Sequence, residues 1–123
     1  MIKVYVAGKY SANNVVSVLK NIGRGRKAAA KLFALGYAPF CPWHDADYII
    51  QQPDIIFPLT SFYDYCIEWL AVSDVMLVIS GADTSEGVMN EIKYCSLHGI
   101  PVVYSFFELA QWKLDYDLKI NLK

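Results

Sequence analysis

The apolar segments of this chain constrain its fold most, because they are short and continuous and are separated by helical stretches. Residues 2–7, 37–41, 75–79 and 101–104 have the length and composition of strands. A strand with one face in water would alternate apolar and polar residues, and these do not. Continuous apolar strands that alternate with helices are typical of a parallel sheet covered on both faces. The sequence therefore predicts an α/β fold, a doubly wound parallel sheet of the flavodoxin or Rossmann type with about four to five strands.

The segments between these strands predict four helices and one long loop. A helix follows the polar residues 9–14 and runs to about residue 35, where Gly36 is a suitable stop. Further helices are expected at about 61–72, from the polar segment 80–91 to about 97, and at about 107–112, before a polar tail. Residues 42–58 predict a long loop with aromatic and acidic side chains, and such loops in compact domains are often functional.

Length and composition exclude several classes of protein. At 123 residues, the chain is expected to form one domain over residues 1–123. Its net charge of −1 argues against binding to duplex nucleic acid or a membrane surface, and no apolar run is long enough to span a bilayer. The chain starts directly with a strand rather than a signal peptide, and its three scattered cysteines suggest reduced thiols, so we expect a cytoplasmic protein.

The apolar content predicts self-association. A 55% apolar fraction is more than so small a domain is expected to bury. We expect the excess to form a patch that closes on another subunit, giving a homodimer or a higher oligomer. The aromatic residues of the helix at 61–72 are interpreted as core and subunit contact, and three residues near the carboxyl end would extend that contact. The residues concerned are Phe62, Tyr63, Tyr65 and Trp69, with Phe106, Phe107 and Trp112.

The polar segment after the third strand, residues 80–91, is the strongest indication of a binding site. At a strand-to-helix junction, free backbone amides and the helix dipole favour the binding of an anion or a sugar. At about 100° per residue, Glu91 lies at the border of the apolar helix face formed by Val88, Ile92 and Cys95. Desolvation there raises the pKa of a carboxylate. Covalent chemistry on a sugar is one hypothesis, and a structural pair with a lysine or a loop cap is the other.

Three loops are expected to meet at one pocket, because ligands of parallel sheets bind beyond the carboxyl ends of the strands. They follow Ala7, Cys41 and Ile79. In the second loop, Trp43 and Tyr48 would stack on a nucleobase or only pack the loop. His44 and Asp45 are adjacent and do not converge as metal ligands do, so no metal site is expected.

The basic residues offer two further candidates for phosphate contacts. Lys9, Tyr10 and Ser11 could contact a phosphate, but they lack the glycine spacing of a phosphate-binding loop. Arg24, Arg26 and Lys27 are interpreted as a solvated helix face rather than a phosphate clamp.

An ordered set of motifs gives the chain a resemblance to a known family. The set comprises residues 2–8, 21–22, 36–39, 73–74 and 99–102, together with the motif Ser85-x-Gly87-x-x-x-Glu91-Ile92. In this order the motifs resemble the nucleoside 2-deoxyribosyltransferase-like superfamily, and most closely a small phage and bacterial branch that is a domain of unknown function. The resemblance covers about residues 2–105.

The resemblance implies roles for individual residues. Glu91 takes the place of the nucleophile that attacks the anomeric carbon of a (deoxy)nucleoside or a nucleoside 5′-monophosphate, and Ser85 that of a phosphate-binding serine. Gly87 would allow close approach of the backbone. Tyr5 and Gly8 match residues that line the sugar and base pocket. No cofactor is expected, and Tyr10, Ser11, Trp43, Asp45 and Ser80 complete the predicted binding site.

One position departs from the family pattern. Related enzymes have an aspartate where this chain has Cys66, and a retaining mechanism needs a second acid to assist the leaving group. A thiol is a poor general acid at neutral pH unless its environment tunes it. Asp45, Asp47 or Asp83 would then supply the proton, or no residue would. Two hypotheses therefore stand: cleavage or exchange of an N-glycosidic bond through a glycosyl ester of Glu91, and nucleotide binding without catalysis in the same pocket.

Overall fold

The computed structural model describes residues 1–42, 45–79, 81 and 85–122, with residues 45 and 46 described as backbone only. Strands and helices alternate along the chain, as the sequence predicts. The strands are β1 (Lys3–Ala7), β2 (Ala38–Phe40), β3 (Val75–Val78) and β4 (Val102–Val103). The helices are α1 (Val15–Ala34), α2 (Asp45–Gln51), α3 (Leu59–Leu70), α4 (Glu86–His98) and α5 (Phe106–Asn121).

The four strands form one parallel sheet in the order β2-β1-β3-β4. In the two central strands, Tyr5 pairs with Met76 and Ala7 pairs with Val78. The connection from β1 leaves toward β2 on one side, and that from β3 leaves toward β4 on the other, so the strand order reverses between β1 and β3. The predicted doubly wound α/β fold is therefore confirmed, with four strands in a flavodoxin-like order.

Two apolar cores cover the two faces of the sheet, which explains why β1 is apolar at successive positions. Val4 and Val6 face a core with residues of α1 and α5, among them Leu32 and Leu109. Tyr5 and Ala7 face the other core. That second core holds Leu70 of α3 with Val88 and Cys95 of α4. Glu91 therefore belongs to the α3 and α4 side of the sheet, and α1 covers the opposite side.

Two predictions about elements were wrong. The predicted loop at residues 42–58 contains α2, which is held by contacts between Tyr48 and Tyr65 of α3. The two rings meet edge to face with centroids 6.0 Å apart, and their hydroxyl oxygens are 3.4 Å apart. The predicted helix at 107–112 continues through the supposed polar tail to Asn121, and the ion pair between Lys113 and Asp117 supports the extension. None of the described helices is long and apolar enough to cross a membrane.

Candidate functional site

The connections after β1 and β3 leave the sheet side by side. The amide of Ile79 donates to the carbonyl of Ala7 at 2.9 Å, so the two chain segments remain paired at the carboxyl edge. Gly8 follows and is partly buried, whereas Ser11 is exposed. The carbonyl of Tyr10 accepts a hydrogen bond from Asn21 Nδ2 at 3.1 Å, which ties this connection to α1. This edge lies at the reversal of strand order, where sheets of this type bind ligands.

Tyr5, Cys66 and Glu91 meet just below this edge, although they come from β1, α3 and α4. Tyr5 is fully buried in the sheet, and its hydroxyl faces both Cys66 and Glu91. Burial and the nearby carboxylate and thiol raise the pKa of Tyr5, so the phenol stays protonated at any physiological pH. Cys66 and Glu91 are both partly buried. The predicted nucleophile and the residue at the predicted acid position therefore share one site.

The carboxyl group of Glu91 is the unusual member of this cluster. Burial raises its pKa to about 7 from an ordinary 4.5, and the nearby Tyr5 hydroxyl offsets this only in part. The two groups influence each other, but their geometry falls short of a hydrogen bond: Glu91 Oε2 and the Tyr5 hydroxyl are both buried without a partner among the described residues. A buried polar atom without a partner costs about 1–3 kcal/mol. Two such atoms side by side are what a polar ligand would satisfy.

Cys95 lies one turn along α4 from Glu91, as the helical spacing predicts. It is fully buried, and its Sγ lies 4.0 Å from Met76 Sδ. Burial and the Glu91 carboxylate raise the pKa of this thiol to about 11. Cys95 therefore stays neutral and forms part of the apolar wall beside Glu91.

The start of α4 exposes polar groups toward the same region. Ser85 is the N-cap residue of α4, but its side chain makes no capping hydrogen bond. The first amides of a helix lack intrahelical partners, and a helix start of this kind is suited to binding an anion or a sugar. A methyl group placed on Gly87 would first meet the Tyr63 ring, at 3.5 Å. Tyr63 therefore covers the first turn of α4 from α3.

Tyr63, which the sequence interpretation assigned to core and subunit contact, lies beside the candidate site. It is three residues before Cys66, a spacing that places both side chains on one helix face. That spacing was the available signal. Phe40 of β2 also lies beside the candidate site, and the sequence analysis did not name it. Its ring centroid is 5.7 Å from that of Tyr5 and 5.1 Å from that of Trp69, on which it stacks. Phe40 also contacts Tyr65, with ring centroids 6.1 Å apart, so Phe40, Tyr65 and Trp69 form one aromatic cluster beside Tyr5.

Other predicted residues stand apart from this cluster or lie outside the description. Trp43, His44, Ser80 and Asp83 are outside the described residues, as is the side chain of Asp45. Asp47 is exposed on α2. Among the described residues, no group of His, Cys, Asp and Glu is arranged to hold a metal ion.

Comparisons with known proteins agree with this architecture. No protein-family model matches the chain, and no curated protein matches it. Among solved structures, it is similar to a 2-deoxyribosyltransferase from the psychrotolerant bacterium Bacillus psychrosaccharolyticus, characterised as a biocatalyst for the synthesis of nucleosides. The match has a TM-score of 0.60 at 21% identity and covers 81% of this chain and 69% of the other. The chain has a nucleoside 2-deoxyribosyltransferase-like fold, as its motifs predict.

Proposed function

We propose that the protein cleaves or exchanges the N-glycosidic bond of a (deoxy)nucleoside or nucleoside 5′-monophosphate through a covalent glycosyl ester of Glu91. The observation that carries this proposal is the pair of buried polar atoms without partners, Glu91 Oε2 and the Tyr5 hydroxyl, at the carboxyl edge of the sheet. The solved structure of similar fold belongs to a 2-deoxyribosyltransferase, which supports the same substrate class.

The reaction would proceed in two displacements. A carboxylate oxygen of Glu91 attacks C1′ of the sugar, and the bond from C1′ to the base nitrogen breaks. The base leaves with that electron pair and takes up a proton from a general acid, for which Cys66, Asp45, Asp47 and Asp83 are the candidates. Water or a second base then attacks C1′ and breaks the ester bond, the proton that this nucleophile loses returns to the general acid, and the Glu91 carboxylate is restored. The Tyr5 hydroxyl, which faces Glu91 without bonding to it, would donate a hydrogen bond to the sugar. Ser85, Gly87, Gly8 and Tyr10 would hold the sugar and any phosphate, with Ser11, Ser80, Trp43 and Asp45 around them.

The test is a Glu91→Gln variant, with Glu86→Gln as its control because Glu86 is exposed on the same helix. Each protein is incubated with a panel of nucleosides and 5′-monophosphates, and free base is measured by chromatography. We expect Glu91→Gln to lose several orders of magnitude in rate while Glu86→Gln keeps it. Intact-protein mass spectrometry after brief mixing should detect a sugar adduct on the wild type only. Substantial turnover by folded Glu91→Gln would refute the mechanism.

The second candidate function is nucleotide binding without turnover, and Cys66 is the observation that favours it. A thiol stands where the related enzymes have a carboxylic acid, so a bound base would lack assistance in leaving. The same panel separates the two functions when thermal melting is recorded alongside chromatography. A ligand that raises the melting temperature and releases no base supports binding, because a ligand specific to the folded state stabilises it.

A further inference from the structure

A polar cleft of about 380 Å³ lies on the α1 side of the sheet edge, whereas Glu91 lies on the α4 side. Its volume falls within the range of small-molecule pockets, about 300–1,000 Å³. The cleft is bounded by the connection after β1, by the first three turns of α1 and by Gly81. The lining residues are Lys9, Ala12, Asn13, Asn14, Ser17, Asn21, Arg24 and Gly81.

The cleft is cationic. Among the described residues that line it, Lys9 and Arg24 are charged and none is acidic. Neither cation forms an ion pair within the described part of the chain. The sequence accounts for this: residues 1–44 contain seven of the eleven Lys and Arg residues and none of the twelve Asp and Glu residues. Unpaired cations that converge in a concave site attract anions.

Two hydrogen bonds hold the walls of the cleft in place. Asn21 is only 8% exposed, and its amide anchors the connection after β1 through the Tyr10 carbonyl. Asn14 caps α1 by accepting from the Ser17 amide at 2.9 Å. A site whose walls are already ordered loses less entropy when a ligand binds.

An apolar groove of about 320 Å³ adjoins the cleft, and Arg24 lines both. Ile79 and Phe106 form its floor, with Lys27 and Lys31 at its rim. The Lys31 ammonium lies 4.1 Å from the centre of the Phe106 ring. The α1 face thus presents two cations in a polar cleft, followed by an apolar floor with further cations at its edge.

We propose that this combined cleft and groove binds an organic diphosphate, separately from the Glu91 site. The phosphates would lie between Lys9 and Arg24, since guanidinium and ammonium groups form charge-assisted hydrogen bonds to phosphate oxygens. The apolar part of the ligand would lie on Ile79 and Phe106. This assignment changes the interpretation of Arg24 from a solvated helix residue to a ligand contact.

The experiment is calorimetric titration with inorganic pyrophosphate at constant ionic strength. Arg24→Ala should weaken binding about tenfold, the effect of losing one charge-assisted contact. Arg26→Ala is the matched control. This substitution removes the same charge from the same helix, and Arg26 lines neither the cleft nor the groove. It should stay within about twofold of the wild type. Benzyl diphosphate, which is not a nucleoside, should bind more tightly than pyrophosphate.

Several outcomes would overturn the proposal. The first is that pyrophosphate shows no saturable binding. The second is that Arg24→Ala and Arg26→Ala weaken pyrophosphate binding equally, which would indicate a diffuse basic surface. Tight binding of a single-stranded oligonucleotide with equal dependence on both arginines would do the same. Equal affinity for the two diphosphates would overturn the assignment of the apolar groove. Glu91→Gln should leave pyrophosphate binding unchanged, so that failure of this site and failure of the glycosidase proposal are separate results.

Discussion

Glu91 combines a reactive group with an environment that destabilises its charged form. Its folded pKa of about 7 exceeds the ordinary 4.5. Below pH 4.5 the carboxyl is neutral in the folded and unfolded chains, so burial costs nothing through ionisation. As the pH rises from 4.5 through 7, the unfolded chain ionises first and stability falls. Above pH 7 the full cost is present, about 3 kcal/mol at about 1.4 kcal/mol per pKa unit.

The amide of Glu91→Gln does not ionise. We therefore expect this variant to gain stability relative to the wild type as the pH rises. The difference in free energy of unfolding should grow by about 2 kcal/mol between pH 5 and pH 8, measured by urea denaturation. Glu86→Gln should show no such growth, because Glu86 is exposed. A constant offset for Glu91→Gln across this range would contradict the raised pKa. Activity of the wild type should rise through the same window as the carboxylate forms.

Cys66 allows a second test at the scale of one side chain. Cys66→Asp places a carboxylic acid beside Tyr5 and Glu91, at the position where the sequence resemblance implies an aspartate. We expect release of base to increase, with a bell-shaped pH profile, because two nearby carboxyl groups titrate as a coupled pair. Cys66→Ser supplies no comparable acid and should not share the gain. An unchanged rate and profile for Cys66→Asp would place the acid elsewhere, with Asp45, Asp47 and Asp83 the next residues to substitute.

At the scale of elements, α5 begins with two hydrogen bonds between side chains and backbone amides that fix its start. Ser105 Oγ accepts from the Glu108 amide at 3.0 Å, and Glu108 Oε2 accepts from the Tyr104 amide at 2.6 Å. We expect Ser105→Ala to lower the free energy of unfolding by about 1 kcal/mol, measured by urea denaturation. Ser85→Ala, at an N-cap whose side chain makes no such bond, should cost less. Equal losses in the two variants would show that the cap contributes little.

The elements also show what the sequence could and could not predict. Strand positions and the border location of Glu91 follow from apolar runs and helical spacing, which are local properties. The start of α5 was readable too, since Ser105 and Glu108 form the capping motif of a serine three residues before a glutamate. α2 was missed because it has only seven residues and its contact with Tyr65 is tertiary. The position of Tyr63 over Gly87 depends on how α3 packs against α4, which no spacing specifies.

At the scale of the whole molecule, the apolar surface near α3 is wider than the predicted one. Trp69 stacks on Phe40 but remains 46% exposed, so the aromatic stripe still belongs in part to the surface. Phe107 is exposed but belongs to α5, on the other face of the sheet. The exposed apolar surface beside α3 includes α2 and the segment after it, with Ile50, Ile55, Ile56 and Leu59. We propose that this surface is the contact of a homodimer.

Ile56 gives the sharpest test of that dimer because it is 93% exposed, so that substituting it leaves the fold of a subunit intact. Burying apolar surface contributes about 25 cal/mol per Å² before the costs of association. A charge placed in the contact opposes this burial, so Ile56→Asp should dissociate the dimer at micromolar concentration, measured by light scattering after size exclusion. Leu122→Asp is the control, since Leu122 is 86% exposed at the end of α5 and should leave assembly unchanged. A monomeric wild type would contradict the proposal, and so would the same oligomeric state in Ile56→Asp and Leu122→Asp. In either case the apolar surface around Ile56 would not be the contact with a second copy.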